Sequence, residues 1–216
     1  MPESQTHTIA TGTHGRYLVR PPATAARIAV VGFHGYGQRA EHLLAELEGL
    51  SGAADWLLVS VQGLYRFYDR PTGAIVAHWM TTEDRELVIA DNVAYVEAVV
   101  GAVAAVHPFE RLVFLGFSQG AAMAARAAAH AGDRCHGLVL LGGEIAPEVL
   151  ASNVPLPRTV IGRGSHDAWY KQERFEADRD ALEERGVLAA GVEFDGGHEF
   201  SPTFRTTAGA FIASLG

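Results

Sequence analysis

One stretch constrains the fold of this chain more than any other. A continuous apolar run, Leu112–Phe117, meets a glycine-flanked turn at Ser118 and passes directly into a run of small residues, Gln119–Ala131, that stops at Gly132. An unbroken Val/Leu/Phe run without alternation fits a strand covered on both faces, as in a parallel sheet between helix layers. The small-residue run reads as a helix that can lie close to such a sheet. A strand that turns sharply into a helix demands layered α/β architecture.

The rest of the chain repeats this alternation. Strands are expected at Arg16–Arg20, Arg27–Phe33, Trp56–Val61, Gly137–Leu141, Thr159–Ile161 and Gly191–Phe194. Between them, apolar residues recur at helical spacing: Leu43, Leu44, Leu47 and Leu50 in Ala40–Leu50, and Ile89, Val93, Val96, Val100 and Val103 in Asp84–Val106. Thr82 is a candidate N-cap for the second of these, with acidic residues in its first turn. Lys171–Arg185 ends at Gly186, and a last helix starts near Pro202. The reading is an α/β fold: a mostly parallel central sheet with helices on both faces and right-handed crossovers. A length of 216 residues suits one domain over 1–216. Only Gln62–Thr81 breaks the alternation. It reads as a long connection rich in aromatics, and residues 62–82 are expected to form a substrate-lining insertion, because such loops in α/β sheets build sites.

Composition removes several function classes. The formal net charge of −8, with no Lys/Arg cluster, argues against nucleic-acid binding. Cys135 is the lone cysteine, so no internal disulfide can form, and beside a His it reads as a buried filler rather than a nucleophile. No apolar run reads as long enough to span a bilayer, so stable membrane insertion is not expected. The segment Met1–His7 lacks a basic region followed by an apolar stretch, so a cytoplasmic location is the expectation.

The chemistry concentrates at Gly116-Phe117-Ser118-Gln119-Gly120. The pentapeptide alone is weak, but between a strand and a helix it matches a nucleophile elbow. There Ser118 takes a strained backbone, and side chains at the flanking glycines would crowd the turn. A hydroxyl needs a base to act as a nucleophile at neutral pH. His198, in Gly196-Gly197-His198 after the last strand, is the candidate. Asp167, after Thr159–Ile161, is the candidate acid that would hold the imidazole; Glu144 and Asp195 are its rivals. The backbone N–H of Gln119 and that of Tyr36, in His34-Gly35-Tyr36-Gly37-Gln38, are the candidate oxyanion donors.

With these pieces assembled, the chain resembles the phospholipase/carboxylesterase family of α/β-hydrolases, which includes the acyl-protein thioesterases. The matching segments are His34-Gly35-Tyr36-Gly37, Trp79, Gly116-Phe117-Ser118-Gln119-Gly120, Gly164-Ser165-His166-Asp167 and Gly197-His198, in family order over nearly the whole chain. The resemblance implies an α/β-hydrolase fold and hydrolysis of carboxylic esters or thioesters through an acyl-enzyme, without metal or cofactor. It also implies a small-molecule ester as partner, and allows a homodimer. Three positions depart from the pattern. Gln38 stands where many members have Asp, Met80 replaces an aromatic, and Ala168-Trp169-Tyr170 replaces small apolar residues after the acid. Trp169 and Tyr170 lie where the resemblance puts the acyl pocket, and Trp79, Tyr65 and Phe67 should form another wall. Bulky rings there favour small acyl groups over long ones. The competing readings are a lysophospholipase or acyl-protein thioesterase acting on long chains, and a ligand-binding relative without catalysis.

Overall fold

The computed structural model describes residues 4–216; the first residues of the N-terminal segment discussed above lie outside that range. In chain order the elements are β1 (Arg16–Arg20), β2 (Ile28–Phe33), α1 (Ala40–Glu48), β3 (Leu57–Gln62), β4 (Tyr65–Tyr68) and β5 (Ile75–His78). There follow α2 (Arg85–Val106), β6 (Arg111–Phe117), α3 (Gln119–Ala131), β7 (Gly137–Leu141) and α4 (Pro147–Ala151). The last are β8 (Thr159–Gly164), α5 (Gln172–Glu184), β9 (Ala189–Phe194) and α6 (Pro202–Ala213). Seven strands form one sheet in the order β1-β3-β2-β6-β7-β8-β9. Only the edge strand β1 runs antiparallel to its neighbour.

The unbroken apolar runs have the predicted cause. Successive residues of each strand serve opposite faces, and both faces are covered. Ala29, Val31 and Phe33 of β2 pack with Val96 and Val103 of α2 and with the alanines of α3. Their neighbours Ile28 and Val30 pack with Leu43 and Leu47 of α1 and with Phe204 and Ile212 of α6. A polar residue on either face would leave a buried group without water, which explains the near-total apolarity.

Four expectations need correction. First, the aromatic connection is partly regular: β4 and β5 pair as an antiparallel hairpin. Its strands are only four residues long and half-buried, and its turn is closed by Asp69, which accepts from the Thr72 hydroxyl at 2.6 Å. Short alternating strands of this kind carry little periodic signal. Second, β8 continues through Gly162-Arg163-Gly164 to pair with Val192, Glu193 and Phe194. The glycines mimic a loop, but Arg163 is buried and bonds Glu193 at 2.7 Å. Third, Thr82 is not the cap of α2. The helix starts after Asp84, which takes a left-handed conformation (φ 47°) and makes no capping bond with its side chain. Fourth, α2 is long and apolar enough, by length and composition, to cross a membrane: one 18-residue window has a mean hydropathy of 1.7, with 22% of it buried. The charges Asp91 and Glu97 hid this run; here the helix lays Val96, Val99 and Val103 on the sheet.

Candidate active site

Every group singled out for chemistry comes from the carboxyl end of a parallel strand. β6 delivers Ser118 with φ 54° and ψ −123°, one of two non-glycine residues with positive φ among those described. That backbone is strained for a residue with a Cβ and marks functional sites. Packing fixes it in place. A Cβ at Gly116 would sit 2.2 Å from the Gly120 carbonyl oxygen, and one at Gly120 would sit 2.0 Å from the Phe33 oxygen. The Ser118 amide donates to the Leu141 carbonyl at 2.8 Å, which ties the elbow to β7.

His198 and Asp167 meet across the ends of β9 and β8. The imidazole Nδ1 and Asp167 Oδ2 are 2.8 Å apart, with the carboxylate buried and the imidazole partly open. The other oxygen of Asp167 accepts from the backbone amides of Trp169 (2.8 Å) and Tyr170 (3.0 Å). An ionised carboxylate can only accept, so Nδ1 donates the shared hydrogen to Oδ2 and Nε2 is left without one. The ring of Phe117 lies against the His198 ring at 4.7 Å, and a Cβ on Gly142 would touch both His198 and Asp167. No hydrogen bond joins Ser118 to His198 in this conformation; such bonds tighten when substrate seats. The rival acids are elsewhere. Glu144 is exposed and pairs with Arg174 at 2.7 Å, and Asp195 is 95% exposed beside His166.

The early glycine-rich loop lies against the elbow: a Cβ on Gly35 would sit 3.1 Å from that of Ser118. Several bonds hold it. Gly35 N donates to Gln38 Oε1 (2.9 Å), Gly37 N to the Ala77 carbonyl (3.0 Å), and Ala77 N to the Gln38 carbonyl (2.9 Å). The hairpin strand β5 is thus paired with the loop. Gln38 serves as the internal acceptor. Among the described residues, the amides of Tyr36 and Gln119 have no partner inside the chain. Two free N–H groups beside a strained serine are what an oxyanion requires.

His34 and the Gln119 side chain were not singled out by the sequence reading. Gln119 Oε1 accepts from Trp79 N (2.9 Å) and its Nε2 donates to the Met80 carbonyl (3.0 Å). The side chain therefore clips the end of the hairpin to the elbow, which gives the Phe-Ser-Gln form of the motif a physical reason. His34 is fully buried. Its Nε2 accepts from Gly63 N at 3.0 Å, so Nδ1 carries the hydrogen and donates to the Gly35 carbonyl at 2.7 Å. Burial lowers the His34 pKa from 6.5 to about 4. In the unfolded chain His34 protonates first, so its contribution is complete above pH 6.5 and is lost as pH falls through about 4. Between those limits we expect the wild type to lose roughly 3 kcal/mol more stability than a His34→Gln variant, at ~1.4 kcal/mol per pKa unit. Urea unfolding of both proteins at pH 7 and pH 4 measures the difference.

The proposed substrate walls fare unequally. Tyr65 and Phe67 are half-buried and pack with Tyr36 around the His78 ring, at 5.4–5.6 Å between centroids, beside the glycine-rich loop after β2. Trp79 is not a wall: it is fully buried, its Nε1 donates to the His34 carbonyl at 2.8 Å, and its own carbonyl accepts from Asn92. Its indole supports the glycine-rich loop after β2 from beneath. Tyr170 is buried against Phe175, whereas Trp169 is 84% exposed. Cys135 is buried with its thiol pushed up to about 12 by burial, which suits a filler. A cavity of about 480 Å³ opens between α2 and α3, lined by Val96, Val100, Leu112 and Phe114 among others; none of the triad candidates lines it.

The family model described as Phospholipase/Carboxylesterase matches residues 14–173. No curated protein matches the chain by sequence. Among solved structures, the chain is similar to esterase PE8, with a TM-score of 0.75 at 21% identity, covering 94% of this chain and 100% of that one. It is also similar to a Bacillus cereus carboxylesterase, with a TM-score of 0.75 at 17% identity over 94% and 95% of the two chains. Zea mays acyl-protein thioesterase 2 gives a TM-score of 0.68 at 18% identity over 94% and 100%. At these identities the structural likeness speaks for the fold.

Proposed function

Because this chain belongs to the phospholipase/carboxylesterase family of hydrolases, we propose that it cleaves carboxylic esters through an acyl-enzyme on Ser118. The observation that carries this reading is the strained Ser118 turn beside the hydrogen-bonded His198–Asp167 pair. Ser118 Oγ attacks the ester carbonyl carbon while His198 Nε2 takes the hydroxyl proton. The carbonyl oxygen gains the negative charge and is met by the amides of Tyr36 and Gln119. As the tetrahedral intermediate collapses, His198 returns the proton to the departing alkoxide and the alcohol leaves. Water then repeats the sequence on the acyl group. Asp167 keeps Nδ1–H in place and stabilises the imidazolium throughout. We place the enzyme in the cytoplasm, acting on a small-molecule ester.

The test is hydrolysis of p-nitrophenyl esters from acetate to palmitate by the purified protein. Absence of turnover across the whole series, together with absence of labelling by a fluorophosphonate, would favour a ligand-binding role. The small-acyl expectation rests on Trp169 and Tyr170, yet Trp169 is 84% exposed and Tyr170 is buried against Phe175. We therefore expect Trp169→Ala to leave the chain-length optimum of kcat/KM unchanged. A shift toward longer esters in that variant would mean that the indole meets the acyl group after all.

A further inference from the structure

Tyr170, three residues after Asp167, joins the segment that holds this carboxylate to helix α5. Tyr170 turns inward. Its hydroxyl donates to Asp178 Oδ2 at 2.8 Å, and its ring packs edge-on against Phe175. Asp178 lies in α5 and is 1% exposed. The same Oδ2 accepts from the Ile145 amide at 3.2 Å. Arg174, one helical turn earlier, lies 3.9 Å from the other oxygen and reaches Glu144 at 2.7 Å. Burial raises the Asp178 pKa, and the donors from Tyr170 and Ile145, with Arg174, oppose that rise.

The two segments held by this carboxylate are the two that support the triad from behind. Tyr170 N donates to Asp167 Oδ1, so the tyrosine grips the acid through its backbone and α5 through its hydroxyl. Ile145 closes the loop after β7. In that loop a Cβ on Gly142 would sit 3.0 Å from His198 Cε1, and one on Gly143 would sit 2.1 Å from the Ser118 carbonyl oxygen. That loop is the floor under Ser118, His198 and Asp167. We infer that Asp178, working through the Tyr170 hydroxyl and the Ile145 amide, is a positioning residue that sets the distance between the Asp167 turn and the floor beneath the triad. The inference rests on the role proposed for Asp167 and His198.

The charge balance supports a hydrogen-bonding anchor rather than a titrating switch. A carboxylate at this depth is costly unless it is paired and bonded. Replacing it with an amide keeps an acceptor for Tyr170 and Ile145, whereas removing the tyrosine hydroxyl leaves a buried oxygen short of a donor. Small displacements of catalytic groups are expensive in rate.

The experiment compares Tyr170→Phe, Asp178→Asn and Phe175→Leu in the full chain, with active sites counted by fluorophosphonate titration. Tyr170→Phe is expected to lower kcat per active site roughly tenfold with little change in KM, as positioning losses do. Asp178→Asn is expected to retain most of kcat. Phe175→Leu loosens the same packing and should lower Tm without changing kcat per active site. A second readout does not depend on turnover: the downfield proton resonance of the His198 Nδ1–H···Asp167 bond should move in Tyr170→Phe and stay in Phe175→Leu. Unchanged kcat and an unmoved resonance in Tyr170→Phe would overturn the inference. So would equal losses of kcat in Tyr170→Phe and Phe175→Leu, since that pattern belongs to packing alone. A wild type that neither turns over esters nor reacts with the fluorophosphonate counts instead against the proposed function.

Discussion

Ser118→Ala is expected to abolish covalent labelling by a fluorophosphonate and to lower kcat by about 10⁴- to 10⁶-fold. The size follows from what the substitution removes. Alanine accepts the φ of 54° about as well as serine does, so the elbow and the amides of Tyr36 and Gln119 stay where they are. What disappears is the nucleophile, and with it the covalent route. Remaining turnover comes from water attacking a carbonyl that the oxyanion donors still polarise. The measurement is labelling by intact-mass spectrometry alongside kcat on a p-nitrophenyl ester. Full labelling of the variant would move the reactive hydroxyl away from position 118.

The second large effect is expected at the acid. Asp167→Asn should lower kcat by roughly 10⁴, and local geometry supplies the reason. In the wild type, Oδ1 accepts from the amides of Trp169 and Tyr170, while Oδ2 faces His198 Nδ1. In the variant, the two backbone donors select the amide oxygen for the Oδ1 position. The NH₂ group is then left facing the imidazole. It can only donate, so His198 must turn its lone pair to Nδ1 and carry its hydrogen on Nε2. That tautomer cannot take a proton from Ser118. Asp195→Asn and Glu144→Gln should leave kcat within a few-fold of wild type, because one side chain stands in solvent and the other pairs with Arg174. A collapse of kcat in Asp195→Asn would instead make that carboxylate the partner of the imidazole.

The layered fold and the sharp strand-to-helix turn at Ser118 could be read from the sequence because two-sided burial forces whole strands to be apolar. Leu112–Phe117 and Gly137–Leu141 have no other stable use. That Ser118, Asp167 and His198 each follow a strand could be read, and parallel strands present all their ends on one side. What could not be read was the direction of side chains in irregular or short segments. Trp79 and Tyr170 sit near the chemistry in the chain, yet both rings point inward, and only tertiary contacts decide that. Asp178 was hidden differently. It lies among Arg174, Glu176, Arg179 and Asp180, so it reads as part of a solvated helix face, although it is fully enclosed. The Gln119 side chain was overlooked because its amide already had a use.

The absent side chain at Gly120 acts as a gauge. The two amides proposed as oxyanion donors belong to segments far apart in sequence, one after β2 and one at the start of α3. Nothing covalent sets the width between them. The separation is fixed where the Gly120 α-carbon rests directly on the Phe33 and His34 carbonyls, with no room for even a methyl group. The width of the proposed anion pocket is therefore a van der Waals contact distance, which a close-packed interior of low compressibility holds firmly. Any residue larger than glycine there would push the helix and the loop apart, and widen the pocket while leaving every reacting side chain in the sequence.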